Sequence, residues 1–372
     1  MKIGIDCRLW SETGVGRYIR NLVLNLQKID KKNSYVLFIL DKNKKEAAKI
    51  IQSSNFKTVE TNIRWHSLKE QLKFPQVLNK ESLDLVHFPY FSVPIFYNYP
   101  FVITIHDLIV DHFSTGYAST LPTPSYRLKR LAYKFVLAKA AKKAKKIIAV
   151  SKATKDEIAD HLKVNPQKIE VTYEGVDSLI QNSRIKNQKY KSKFKNYFLY
   201  VGNGYPHKNL DRLLEAFKVL NNYTQLVMIV RQDYFCERLK KKVGEMKLSD
   251  KIIFMHNVGD EDLASLYSNA KALILPSLME GFGLPALEAM ANSCLVLASD
   301  IPSLHEVCGD AAIYFDPYDI RDMAKKMNDV YLNNIYHLSR KKEEGSEWAR
   351  FFSWKKMAKE TLEIYNSAVN NS

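Results

Sequence analysis

The chain predicts an α/β fold of two doubly wound domains, and three observations carry that prediction. Short apolar runs alternate throughout with amphipathic runs of helical period, the pattern of parallel sheets covered on both faces. A length of 372 residues exceeds one ordinary core and suits two. Between two such series lies a polar, lysine-rich stretch, 178–196, with no apolar periodicity, which reads as a linker. The predicted domains are therefore 1–180 and 181–346, with a last helical run at about 347–372 that can pack back on the first.

In chain order, the first half offers strands at 2–6, 35–40, 84–87, 101–105, 147–150 and 169–173. A helix between the first two is marked by Ile19, Leu22, Val23 and Leu26 at helical spacing. The second half offers strands at 197–201, 225–230, 252–255, 272–275, 294–298 and 312–315. In open sheets of this kind ligands bind beyond the carboxyl ends of the strands. Gly14 and Gly16 after the first strand, His106 and Asp107 at the end of another, and Lys208 beyond the strand ending at Val201 all fall there.

Composition narrows the function. Cys7, Cys236, Cys294 and Cys308 are far apart and lack metal-ligand spacing, so they are expected as reduced thiols with no zinc site. Residues 2–6 start a strand pattern at once, unlike a signal peptide. No apolar stretch nears the ~20 residues that span a bilayer. A cytoplasmic protein is expected. Lys plus Arg number 56 against 40 Asp plus Glu, a net charge of +16, which points to a polyanion: nucleic acid or an anionic membrane surface. The excess is concentrated in Arg127, Lys129, Arg130, Lys134, Lys139, Lys142, Lys143, Lys145 and Lys146 of one helical segment. Leu128, Leu131, Phe135 and Leu137 in the same segment either face the core or touch lipid.

The most informative stretch runs from Glu280 to Glu288. Gly281 and Gly283 follow an apolar strand, and Pro285 suits the first helical turn, where no N–H is missed. Glu280 then sits on a strand-to-helix loop and Glu288 projects from an early helical turn. Helix-start amides favour phosphate, and carboxylates suit sugar hydroxyls. Glycine pairs at strand ends and two Glu at this spacing also arise without function.

With these segments in place the chain resembles the retaining glycosyltransferases of family four. The resemblance is carried by Ile5-Asp6-Cys7-Arg8, Thr13-Gly14-Val15-Gly16-Arg17-Tyr18, Thr104-Ile105-His106-Asp107 and Ala149-Val150-Ser151 in the first half. In the second half it is carried by Tyr200-Val201-Gly202-Asn203, His207-Lys208-Asn209, Pro276-Ser277, the Glu280 to Glu288 stretch, Gly309-Asp310-Ala311-Ala312 and Asp316-Pro317. It implies the GT-B fold, two Rossmann-like domains facing across a cleft. It also implies that Glu288 binds the donor ribose, that Glu280 and His106 sit at the reacting sugar, and that Lys208 pairs with the diphosphate. Phe282, Gly283, Leu284, Gly202 and Asn203 would line the donor. Gly14 and Gly16 would admit donor phosphate or acceptor, or simply make a tight turn.

Two departures stand out. Asn203 occupies a position that is arginine in many members; either Arg231 or Arg17 supplies that charge, or the site runs with one cation. Asn292-Ser293-Cys294-Leu295 replaces a more usual Cys-Gly-x-Pro turn and puts base specificity in doubt.

The implied reaction moves a hexosyl group, mannose-like and from GDP-mannose by preference, to a glycan or lipid-linked acceptor in surface polysaccharide (lipopolysaccharide) synthesis. Configuration is retained by front-face attack or through a covalent intermediate. No cofactor or metal is expected, because Asp260-Glu261-Asp262 reads as a helix start rather than a metal motif. The localisation expected is cytoplasmic and peripheral on the inner face of the membrane. A sugar-nucleotide epimerase of the same fold is the alternative. A nucleic-acid binder is disfavoured for want of any recognisable module.

Overall fold

The computed structural model describes residues 1–113, 123–176, 194, 196–220, 224–333 and 338–370. Of the linker expected at 178–196, only Phe194 and Asn196 lie within the described residues. The chain divides into two compact units: Met1–Leu108, Leu121–Glu174 and Ser353–Ser372 form the first, and Ile109–Thr120 with Gly175–Phe352 the second.

Unit one is built on β1 (Lys2–Asp6), β2 (Ser34–Leu40), β3 (Phe56–Thr61), β4 (Leu85–Phe88), β5 (Phe101–Ile105), β6 (Lys146–Ala149) and β7 (Ile169–Val171), in the order β3-β2-β1-β4-β5-β6-β7. All pairings are parallel. The helix Gly14–Ile29 buries Tyr18, Ile19, Leu22, Val23 and Leu26. Burying each of the aliphatic side chains is favourable by about 1.5–3 kcal/mol, which explains why this stripe fixes the helix on the sheet.

Sequence periodicity missed β3. Among the described residues it is an edge strand that pairs only with β2. Its interior residues Lys57, Thr58 and Glu60 are polar, so no apolar run announces it.

Unit two carries β8 (Tyr197–Gly202), β9 (Gln225–Val230), β10 (Ile252–Met255), β11 (Ala272–Leu275), β12 (Val296–Ser299) and β13 (Ile313–Phe315), in the order β10-β9-β8-β11-β12-β13, again all parallel. Phe198, Tyr200, Leu213, Leu214, Met228, Ile274 and Leu297 meet in its core. The strand expected at 294–298 begins only at Val296, because Cys294 still belongs to the turn closing the preceding helix, its N–H donating to Ala289 O at 2.9 Å.

The C-terminal run is two helices rather than one. Leu338–Ala349 stays with unit two, where Trp348 Nε1 donates to Val307 O at 2.8 Å. Ser353 then starts a second helix, Trp354–Asn370, which belongs to unit one. There Tyr365 reaches His87 on β4, OH to Nδ1, at 2.6 Å. His87 in turn contacts Thr104 Oγ1 at 2.8 Å, and Thr104 contacts the Tyr18 hydroxyl at 3.2 Å. Burial holds the His87 ring neutral, its pKa pushed down to about 3.

Candidate functional site

In unit two the strand order reverses between β8 and β11, and that is where loops open a crevice at the carboxyl edge of such a sheet. The loop after β8 ends in a short turn, Pro206–Lys208, and the helix Leu210–Val219 follows. The loop after β11 leads into the helix Leu284–Ala291. The two loops are tied together. Leu278 N donates to His207 O at 2.8 Å, and Lys208 Nζ donates to Glu280 Oε1 at 2.6 Å. Ser277 Oγ donates to the same carboxylate oxygen, also at 2.6 Å.

Glu280 is held below the ordinary carboxylate range. Burial alone would raise its pKa, but the Lys208 charge and hydrogen bond, the Ser277 hydroxyl and His207 outweigh that effect. The His207 ring is neutral, with its pKa lowered to about 4 by burial and then by Lys208. Its Nδ1 is buried without a hydrogen-bond partner.

Gly283 is the position where glycine is demanded by conformation. It stands at φ +104° before the helix, and a Cβ there would lie 2.7 Å from Leu304 Cδ2. The Leu284 amide heads the helix without an intrahelical acceptor, as any first residue must, while Ala286 and Leu287 turn back onto Gly283 O. Phe282 is buried, edge-on to Phe352 at 5.8 Å. Glu288 is only 3% exposed and accepts from the Tyr267 hydroxyl at 3.0 Å.

Gly202 ends β8 beside Asn203, whose carbonyl accepts from the Tyr200 hydroxyl at 2.6 Å and whose Oδ1 accepts from Tyr205 N at 3.2 Å. Asn203 thus shapes the loop. Arg231, the nearby alternative cation, is exposed directly beyond β9, the strand next to β8. The unusual Asn292-Ser293-Cys294 turn keeps a left-handed residue where glycine is more usual: Ser293 has φ +54°, and the helix carrying Glu288 still closes at Asn292.

Unit one supplies a second cluster. His106 follows β5, with Nε2 3.0 Å from Pro89 O and Nδ1 3.3 Å from Glu174 Oε1. A carbonyl only accepts, so Nε2 carries a proton. The edge of Tyr18, from the helix that Gly14 and Gly16 open, packs against the His106 ring at 4.9 Å. The two glycines differ. A Cβ on Gly16 would sit 2.5 Å from Trp10 O, so the chain itself requires that glycine, whereas nothing lies within 4 Å of a Cβ on Gly14. Of this pair, only Gly14 offers open space to a ligand.

The structure therefore brings Lys208, Glu280, Gly202 and Asn203 to the switch point of unit two, with Phe282, Gly283, Leu284 and Glu288 on the adjoining helix start. His106, Gly14 and Gly16 share the carboxyl edge of unit one. Tyr267 and Glu174 were not singled out from sequence, and Ser277 only as part of Pro276-Ser277, with no role at the site. Ser277 had a signal, standing three residues before Glu280; Glu174 had none.

Asp260, Glu261 and Asp262 form the first turn of the helix Asp260–Asn269, the placement expected of charges that complement a helix dipole. Among the described residues no three His, Cys, Asp or Glu side chains gather as a metal site. No helix among them is long and apolar enough to cross a membrane.

Comparison with known proteins matches residues 13–178 to the model described as Glycosyltransferase Family 4 and residues 181–348 to Glycosyl transferases group 1. The chain is 32% identical to the O-antigen chain mannosyltransferase RfbU of Salmonella typhimurium over 266 residues, covering 72% of this chain and 68% of that protein. It is 32% identical to the O-antigen chain mannosyltransferase B of Escherichia coli over 182 residues, 48% of each chain, so the match spans about half of that relative. Among solved structures, sucrose-phosphate synthase from Thermosynechococcus elongatus superposes with a TM-score of 0.81 at 20% identity, covering all of both chains, a likeness of fold.

Proposed function

As the chain belongs to the family 4 glycosyltransferases and has the GT-B fold, we propose that it moves a mannosyl group, with retention, from GDP-mannose to a glycan or lipid-linked acceptor in surface polysaccharide synthesis. The observation that carries the donor assignment is the Lys208–Glu280 pair at the β8/β11 switch point, beside the start of the helix Leu284–Ala291. The similarity to two O-antigen mannosyltransferases favours the sugar.

In this reading the diphosphate takes Lys208 and the Leu284 amide, and Glu288 accepts from the ribose hydroxyls. Fixed donors of this kind stabilise the charge that grows on the leaving diphosphate, and removing one such donor elsewhere costs about 10²–10³ in rate. The bond between the anomeric carbon and the phosphate oxygen breaks with its electron pair going to the diphosphate. An acceptor hydroxyl attacks the same face, and its proton passes to the departing phosphate oxygen. Glu280 is already bound by an ammonium and a hydroxyl, which suits charge placement beside the sugar better than nucleophilic attack. His106, held by Pro89 and Glu174 within unit one, is proposed to contact the reacting sugar.

Catalysis is proposed to need no metal, since Lys208 and helix amides supply the countercharge. Activity in excess chelator tests this: loss restored by manganese or magnesium would return attention to Asp260 and Asp262. The acceptor is proposed to lie at the cytoplasmic face of an anionic membrane, which accounts for the basic helix.

The decisive assay is donor hydrolysis and transfer across GDP-, UDP-, dTDP- and ADP-sugars. GDP-mannose should be turned over fastest. Preference for another base or sugar would overturn the donor assignment, and interconversion of the free donor without transfer would establish the epimerase.

A further inference from the structure

The mechanism above gives His207 no task, yet its side chain is buried at the switch point of unit two, only 4% exposed. Its backbone carbonyl ties the turn to Leu278 N, while its ring nitrogen Nδ1 is buried with no hydrogen-bond partner. Such orphaned polar atoms are few in a folded chain and call for a cause. The rings of Tyr205 and Phe113 lie against the imidazole, each with its centroid 6.0 Å away. Phe113 belongs to the segment Ile109–Thr120 of unit two, which also carries Asp111 and His112. The charges acting on the ring are Lys208, from its own turn, and Glu280, from the loop after β11. Burial and the ammonium disfavour a proton on the ring and Glu280 favours one; the first two prevail, and the imidazole is neutral. Tyr200, which also senses the Glu280 charge, is kept protonated by burial.

That balance depends on where the ammonium of Lys208 stands. Nζ is 2.6 Å from Glu280 Oε1, and both side chains are mostly buried. A diphosphate that takes Lys208 has to draw the ammonium off this carboxylate. Glu280 would then keep the Ser277 hydroxyl but lose its paired cation, and a buried charge stripped of its partner is strongly unfavourable. At the same time the negative phosphates offset the ammonium, so the repulsion that holds the imidazole neutral weakens.

We propose that His207 takes up one proton when the donor binds and replaces Lys208 as the counterion of Glu280, releasing the lysine to the diphosphate. The proton comes from solvent and goes to the imidazole, where Nδ1 has no bond to give up. His207 is thus a positioning residue: it acts on the donor through Glu280 and Lys208. Asn203 adds no charge to the loop after β8, so the imidazolium gives the site a cation in addition to Lys208, and only while a donor is present. Affinity then acquires a definite pH dependence. A group whose pKa is higher in the complex strengthens binding as pH falls, here by up to about tenfold per pH unit from the value in the complex down to the value of about 4 in the free protein.

The inference rests on the donor site proposed above, and its test separates the two. The full chain is titrated calorimetrically with GDP-mannose, and with UDP-, dTDP- and ADP-sugars, in paired buffers of different ionisation enthalpy between about pH 8 and about pH 5, the range in which an imidazole changes charge. The diphosphate of a nucleotide sugar does not itself ionise there. Wild-type protein should take up a fraction of a proton per donor that approaches one toward the acid end, with affinity rising in parallel. His207→Gln, and His207→Phe, which keeps the ring volume, should take up none and bind with an affinity flat in pH. In the proton NMR spectrum the imidazole signal missing from His207→Gln should titrate near pH 4 without donor and at least about one unit higher with it. A chain that binds none of the donors refutes the donor site and this inference with it. Donor binding without proton uptake refutes the inference alone. So does uptake that persists in the folded variants, which would place the proton on Glu280, or a His207 signal that titrates alike with and without donor.

Discussion

Glu280→Gln separates charge from shape at the switch point of unit two. The amide keeps an oxygen near Lys208 Nζ and Ser277 Oγ, each 2.6 Å away in the wild type, but removes the negative charge both bonds depend on. Hydrogen bonds to charged groups contribute about 1.5–3 kcal/mol and neutral ones about 1, so two weakened bonds amount to a loss of about 2 kcal/mol. For a unit of this size that lowers the melting temperature by about 4–8 °C. The pH dependence has a definite sign. The folded-state pKa of Glu280 lies below the ordinary value of 4.5, so its stabilisation is complete above that value and disappears as pH falls through the folded pKa. The gap between wild type and variant should therefore be full at neutral pH and close in acid. Nucleotide binding behaves differently: with its counterion gone, Lys208 has an uncompensated charge to offer a diphosphate, so affinity should hold or tighten. Turnover should fall about 100-fold or more if the carboxylate serves the developing charge of the sugar. Calorimetric titration with the nucleoside diphosphate and an initial-rate transfer assay give the two numbers. An unchanged rate, or a loss confined to nucleotide affinity, would refute the assignment.

Lys208→Ala and Glu288→Ala should each weaken donor binding, by about tenfold or more for a lost charge-assisted bond; equal affinity in folded protein argues against both roles. Glu174→Gln should lower kcat while leaving nucleoside diphosphate affinity intact, with Glu174→Asp recovering part of the rate, because the carboxylate acts by holding His106. A parallel loss of nucleotide affinity would show a structural effect instead. Gly283→Ala should cost about 1–3 kcal/mol from a left-handed backbone and the contact with Leu304, against little change for Gly14→Ala, where the added methyl meets nothing. Comparable melting temperatures for the two variants would contradict that contrast.

The apolar strands of both sheets were legible because buried parallel strands read as continuous hydrophobic runs. β3 was not, since an edge strand need not alternate in a way that a short window detects. The Glu280 to Glu288 stretch could be read because strand, glycine turn, proline and helix follow one another directly. Its pairing with Lys208 could not: 72 residues separate the partners, and only the adjacency of β8 and β11 brings them together. Glu174 illustrates the same limit without even a motif, since its meaning comes from a ring 68 residues away. In the basic helix, composition showed the charge but not which apolar residues face inward. Leu137 joined the core, and Leu128, Leu131 and Phe135 did not.

The return of Trp354–Asn370 to unit one bears on how the chain is made. Unit two, apart from the segment Ile109–Thr120, is continuous from Gly175 to Phe352. A ribosome therefore releases almost all of it before the final helix of unit one exists. The Tyr365–His87 bond joins residues 278 positions apart, and closing so long a loop is slow, although doubling its length adds only about 0.6 kcal/mol of entropy. Until that helix arrives, His87 lacks the Tyr365 hydroxyl that meets its Nδ1. Unit one is thus joined by a segment that is made only after nearly all of unit two.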